Sequence, residues 1–155
     1  MCFCFWPGKC YVAKVKTSAT IAPRPLWGGS IEMEKEKIHA FCSKLHGTTH
    51  DYKIEWEADR YHIGGKMYAM MGGDATGKPV LTLKCEPNRA EELREAYEGI
   101  IPGYYMNKTH WNSIYMDADD VPLDLVENLI KHSYKLVFGK LTKKAQQEIE
   151  LLKEI

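Results

Sequence analysis

Two adjacent glycines near the middle of the chain, Gly64 and Gly65, constrain the fold more than any other feature. They sit between Tyr61-His62-Ile63 and the segment Lys66 to Met71, and a Gly-Gly pair joining two apolar-rich extended runs is the signature of a tight antiparallel hairpin. Upstream, Ile54 and Trp56 alternate with Glu55 and Glu57, which predicts a further strand. Downstream, after the loop GGDATGKP, Leu81, Leu83 and Cys85 share one face of an extended segment and Thr82 and Lys84 the other. The connections are too short for parallel crossovers, so the neighbouring strands are expected to run antiparallel.

Helices flank this central block. Ile38, Phe41, Cys42 and Leu45 repeat at helical spacing and stop at Gly47. Pro87 suits a first helical turn, and Ala90, Leu93 and Tyr97 form one stripe that closes at Gly99. An extended stretch around His110–Met116 is followed by a helix opening at Pro122, whose stripe Val126, Leu129, Ile130, Tyr134 and Val137 ends at Gly139. Residues 142–153 read as a polar terminal helix with Ala145, Ile149 and Leu152 facing inward. Strands in the middle and helices around them predict an α+β class, a single compact domain with one antiparallel sheet.

Residues 1–32 break this regularity. They hold Pro7, Gly8, Pro23, Pro25, Gly28 and Gly29 and no sustained period, so they read as an irregular leader ahead of a domain spanning 33–155. Deleting 1–32 is expected to leave the melting temperature nearly unchanged. Charge divides at almost the same place. Residues 1–30 carry Lys9, Lys14, Lys16 and Arg24 and no acid, which leaves residues 31–155 at −4 in a chain whose 21 basic and 21 acidic side chains cancel. The body of the protein therefore exerts no bulk pull on nucleic acid, and any such contact must come from a local patch.

No apolar run approaches the roughly 20 residues of a membrane-spanning helix, and no membrane association is expected. The five cysteines are odd in number, with Cys2, Cys4 and Cys10 crowded at one end, so no disulfide framework is expected. The start lacks the layout of a secretory signal, and a cytoplasmic protein with reduced thiols is the expectation.

The segment Pro102 to Asn112 packs aromatics, amides and cations together. Aromatic faces stack on bases, Lys108 suits phosphate, and Asn107 or Asn112 can pair with a base edge. The competing reading is a turn packed by aromatics, with the Asn side chains bonding the backbone. The alternation that buries Met67, Leu81 and Leu83 should turn Lys66, Tyr68, Thr82 and Lys84 to the opposite, open face. These residues extend the patch if Lys66, Lys84 and Lys108 converge; otherwise they are ordinary solvated positions. Arg89 and Arg94 lie among Glu91, Glu92 and Glu95 and read as intrahelical ion pairs.

Catalytic and cofactor chemistry is poorly served. Cys85 alternates onto the apolar face, which removes it as a nucleophile for His110. Cys2-x-Cys4 with Cys10 offers three thiolates without a nearby fourth ligand, His46 and His50 straddle a Gly and Thr-Thr break, and Asp117–Asp120 read as acids capping the following helix. No phosphate loop is present. No metal, no cofactor and no enzymatic activity are expected.

Taken together, HDYKIEW, GGKMYAM, LTLKCEPNRAEELRE, PGYYMNKTHWN and HSYKLVFGKL resemble the MmcQ/YjbR family over about residues 33–144. The resemblance implies a fold similar to the bacterial frataxin homologue, with helices on one face of the sheet, and DNA binding through a double-wing arrangement. Carried to this chain, it implies contacts to double-stranded DNA from Lys66, Lys84, Tyr104, Asn107, Lys108, His110 and Trp111, by a monomer whose protein partners are unknown. Ser133 and Tyr134 match the family's Ser-Tyr pair. The alternative is a protein or small-ligand interaction module whose open sheet face presents Tyr68, Met70 and Trp111.

Overall fold

The computed structural model describes residues 31–103 and 105–154. Residues 1–30, Tyr104 and Ile155 lie outside these, so the leader, the thiols Cys2, Cys4 and Cys10, and Tyr104 as a contact residue are not described. The elements run α1 (Ile31–Ser43), β1 (Thr48–Lys53), β2 (Ala58–Ile63), β3 (Lys66–Gly73), β4 (Pro79–Lys84), α2 (Pro87–Ala96), β5 (Ile100–Pro102), β6 (Trp111–Tyr115), α3 (Leu123–Phe138) and α4 (Lys143–Leu151). All six strands join one antiparallel sheet in the order β1-β2-β3-β4-β6-β5. The α+β class and the single sheet are as the sequence predicts.

The hairpin forms where expected. Gly64 and Gly65 both adopt positive φ, +56° and +77°, the conformation a two-residue turn with matching twist demands and that glycine reaches without a Cβ clash. Gly64 has a second duty, because a Cβ there would lie 2.7 Å from Leu141 Cδ1. The bare backbone lets the turn after α3 seat against the hairpin.

One face of the sheet carries the core. Tyr61, Ile63, Ala69, Met71, Leu81, Leu83 and Ile114 from the strands pack against Ile38 and Cys42 of α1, Ala90 and Leu93 of α2, Val126, Leu129, Ile130 and Val137 of α3, and Ile149 of α4. Helix α3 lies across β3 and β4. Its predicted stripe is buried except for Tyr134, which is half-buried and donates from its hydroxyl to the His46 carbonyl.

Several local expectations are corrected. Ile54–Trp56 is a 3-10 turn joining β1 to β2, with Ile54 and Trp56 exposed; the alternation there belongs to a corner, and the edge strand is the polar run before it. Leu152 falls in a terminal 3-10 turn and is exposed, leaving Ala145 and Ile149 to face inward. Asp120 does not cap α3 but accepts from the Gly99 N–H at 3.1 Å. Arg94 donates to the Ala90 carbonyl, and neither it nor Arg89 is ion-paired among the described residues.

The largest correction concerns β3. Tyr61 pairs with Ala69 and His62 with Met67, which leaves Tyr68 as an extra, unpaired residue. A bulge of this kind turns two successive side chains to the same side. Tyr68 therefore enters the core beside Ala69, fully buried, with its hydroxyl 3.1 Å from Thr48 Oγ1 and donating to the Cys42 carbonyl at 3.4 Å. Upstream of the bulge the faces are exchanged: Lys66 pairs with the core residue Ile63, and Met67 pairs with His62 away from the core. The face opposite the core thus carries Met70 and Thr82 but neither Tyr68 nor Lys66, and both Met70 and Thr82 are buried, not solvated as expected.

Candidate nucleic-acid interface

Antiparallel order brings the start of β3, the end of β4 and the start of β6 to one end of the sheet. Lys66, Lys84 and Trp111 sit at these positions, and the loop carrying Asn107, Lys108 and His110 leads directly into β6. Sequence positions 66, 84 and 107–111 are thereby gathered at one edge of the molecule, although the expected route through a common open face is wrong.

Each group is held by identifiable contacts. The Ser133 hydroxyl donates to the Tyr68 carbonyl at 2.5 Å and accepts the Lys84 N–H at 2.9 Å. It thus satisfies both backbone groups just past the last β3–β4 pair, Ala69 with Leu83, and it fixes Lys84 to α3. The Lys84 ammonium lies 5.8 Å from the centre of the Trp111 ring, within cation–π range. Trp111 is positioned in turn by Gly103, whose N–H donates to the Trp111 carbonyl at 2.7 Å. A Cβ on Gly103 would lie 2.6 Å from that of Trp111.

A cation absent from the predicted set completes the group. Lys66 Nζ donates to the Lys140 carbonyl at 3.4 Å, and the ammonium groups of Lys140 and Lys66 both act on Lys84. Burial first, and then these neighbouring positive charges, hold the Lys84 pKa below the ordinary lysine range. None of the three is ion-paired to a carboxylate among the described residues. Lys108 is exposed on its loop and is not among the charges acting on Lys84, so the expected convergence is of Lys66 and Lys84 with Lys140 instead. Lys140 was legible only as the residue after the Gly139 helix stop; nothing in the sequence links it to position 66 or 84.

The amides behave as turn residues. Asn107 Oδ1 accepts the Thr109 N–H at 2.9 Å, an Asx turn that shapes the loop. Asn112 is buried and donates to the Ala90 carbonyl, which removes it from any base edge. Tyr105 holds a left-handed backbone, φ +61°, with its side chain 79% exposed. His110 is exposed, and its carbonyl accepts the Cys85 N–H at 2.8 Å.

The open face holds a pocket of about 570 Å³, floored by Ala58, Met70, Val80 and Thr82 and walled by Trp56 and Met106. Trp56 also lies under two cations, Lys53 at 5.3 Å and Arg60 at 5.6 Å. Among the described residues no three His, Cys, Asp or Glu side chains are grouped to hold a metal ion, and no helix is long and apolar enough to cross a membrane. Cys85 is buried, and burial raises its thiol pKa, which is unfavourable for a nucleophile.

The YjbR family model matches residues 43–136, a span from the end of α1 to the last turn of α3 that includes the whole sheet. The chain belongs to the YjbR family. It is similar to the uncharacterized protein YbdF of Escherichia coli O157:H7, 31% identical over 76% of this chain and 98% of that one. Likewise, the uncharacterized protein YyaQ of Bacillus subtilis is 32% identical over 67% of this chain and 98% of its own length. Among solved structures, a Deinococcus radiodurans protein with a DUF419 domain superposes with a TM-score of 0.68 at 31% identity, covering 75% of this chain and 87% of that one. A Pseudomonas syringae protein at 23% identity and a TM-score of 0.59, covering 66% and 97%, shares the fold. YjbR membership thus accounts for the resemblance noted in the motifs. None of these names states an activity, so the function rests on the chemistry of the site.

Proposed function

We propose that this YjbR-family chain is a non-enzymatic, cytoplasmic nucleic-acid-binding protein that meets double-stranded DNA as a monomer at the hairpin end of its sheet. The carrying observation is the neighbourhood of Lys66, Lys84 and Lys140, with Lys66 Nζ at the Lys140 carbonyl and Lys84 beside Trp111, and no described acid paired to any of the three. Like charges are held together at a cost, which an anion relieves, and an aromatic ring alongside suits a base or sugar. In the double-wing reading, the β2–β3 hairpin with Lys66 is one wing and the loop with Lys108 and His110 the other. A local patch of this kind is what binding requires of a body whose net charge is −4.

Fluorescence anisotropy of the full chain with labelled duplex and single-stranded DNA tests this, repeated from low to physiological salt. Log affinity should fall linearly with log salt, and Lys66→Gln, Lys84→Gln and Lys108→Gln should each lower the slope by about one. No binding at low salt, or slopes the variants leave unchanged, overturns it.

A second reading, a small-ligand or peptide module, is supported by the 570 Å³ pocket on the open face, a volume within the usual range for ligand sites. It predicts binding that ionic strength hardly changes and that Trp56→Ala weakens.

A further inference from the structure

We propose that Lys66, Lys84 and Lys140 form one site that prefers a phosphate monoester, the 5′-terminal phosphate of a nucleic acid, over a backbone diester. The inference rests on the nucleic-acid reading for the identity of the molecule that carries the phosphate.

Three independent tethers bring these lysines together. Gly64 lacks the Cβ that would strike Leu141, so the hairpin closes on the turn after α3 and the Lys66 ammonium reaches the Lys140 carbonyl. That turn is itself fixed, with the N–H groups of Gly139, Lys140 and Leu141 donating to the carbonyls of Lys135, Val137 and Phe138. Ser133 holds the backbone of Lys84 to α3. The backbone carrying each cation is therefore positioned before any ligand arrives, which lowers the ordering cost of binding.

Charge density selects the ligand. A strand carries one negative charge per phosphate, spaced along its length, and cations strung out in a line match it best. A monoester concentrates about −1.5 to −2 charges and three acceptor oxygens at one point, which matches three neighbouring lysines, Lys66 reaching the backbone of Lys140, with no described carboxylate partner. Lys108, outside the cluster, remains available to the chain that follows the terminus. Trp111, beside Lys84, is placed to meet the terminal nucleoside.

The test uses the full chain and one single-stranded oligonucleotide sequence, labelled at its 3′ end and carrying either a 5′-phosphate or a 5′-hydroxyl. The 5′-phosphate form should bind at least about fivefold more tightly, the size of a single charge-assisted contact at a partly exposed site. Lys140→Gln should erase that preference while Lys140→Arg keeps it, with both variants melting as the parent does. Equal, salt-sensitive affinity for the two oligonucleotides overturns the terminal-phosphate site and leaves nucleic-acid binding standing. If neither oligonucleotide binds, a nucleoside 5′-monophosphate separates the two ideas. Its binding, lost in Lys140→Gln, supports the monoester site and overturns the nucleic-acid reading, whereas its failure to bind overturns both.

Discussion

The Ser133 hydroxyl donates a hydrogen bond to the carbonyl of Tyr68, 65 residues away, and does so at the one point where β3 cannot pair regularly with its neighbours. The same oxygen accepts from Lys84, so one helix side chain bridges backbone groups of β3 and β4 just beyond their last paired residues, Ala69 and Leu83. Ser133→Ala should cost about 1–3 kcal/mol, the penalty of leaving buried backbone groups unpaired, measured by urea denaturation. It should also loosen Lys84 and weaken DNA binding beyond what the fall in stability explains. A variant as stable as the parent would mean that water replaces the hydroxyl.

Gly64→Ala tests the coupling of hairpin to helix turn. The substitution places a Cβ 2.7 Å from Leu141 Cδ1 on a residue with φ +56°, so steric and conformational costs add. A loss of about 1–3 kcal/mol is expected. Gly65→Ala has the same backbone problem but meets nothing within 4 Å, and should cost less. Equal losses at the two positions would assign the whole effect to the turn.

Asn107 should prove to be a shaping residue for its loop. Asn107→Ala removes the acceptor of the Thr109 N–H, and amide exchange at Thr109 should accelerate, while Asn107→Asp, which keeps an oxygen in place, should restore protection. Unchanged exchange in the alanine variant would return Asn107 to the list of groups available to a base.

Stability should fall as pH drops from about 7.5 to about 5.5. Burial, aided by Arg60, lowers the pKa of His62 from its ordinary 6.5, and burial with Arg89 does the same for His132. Asp51 opposes the shift at His62, and Glu86 opposes it at His132. With each folded pKa below the unfolded one, the unfolded chain binds the extra proton first as acid is added, so protonation favours unfolding in that window. His132→Gln should flatten the dependence of the urea midpoint on pH. A midpoint that rises on acidification would contradict the sign.

Much of this architecture was legible in residue pattern. The Gly64-Gly65 turn, the α3 stripe and the inward alternation of Leu81, Leu83 and Cys85 each follow from local geometry, and the sheet follows from the shortness of the links. The site was legible only in part, because a period of two assumes an uninterrupted ladder. One extra residue at Tyr68 exchanges the faces on either side of it, and nothing in KMYAM marks which residue that is. β1 also escaped notice, since TTHDYK lies at the sheet edge with little buried and so has no apolar alternation to display. Lys140 joins Lys66 only through tertiary packing of Leu141 on Gly64, a long-range contact that spacing cannot express.

The two outer strands have a consequence of their own. A sheet edge is a row of unpaired donors and acceptors that a stray strand from another chain can zip onto, the first step toward aggregation. Here one edge, β5, is three residues long and ends in Pro102, which has no N–H to offer. The other, β1, carries His50, Asp51 and Lys53, with Asp51 paired to Arg60 across the strands. The charge and polarity that leave β1 without an apolar alternation are therefore what makes it a poor template for a seventh strand, as shortness and Pro102 do for β5.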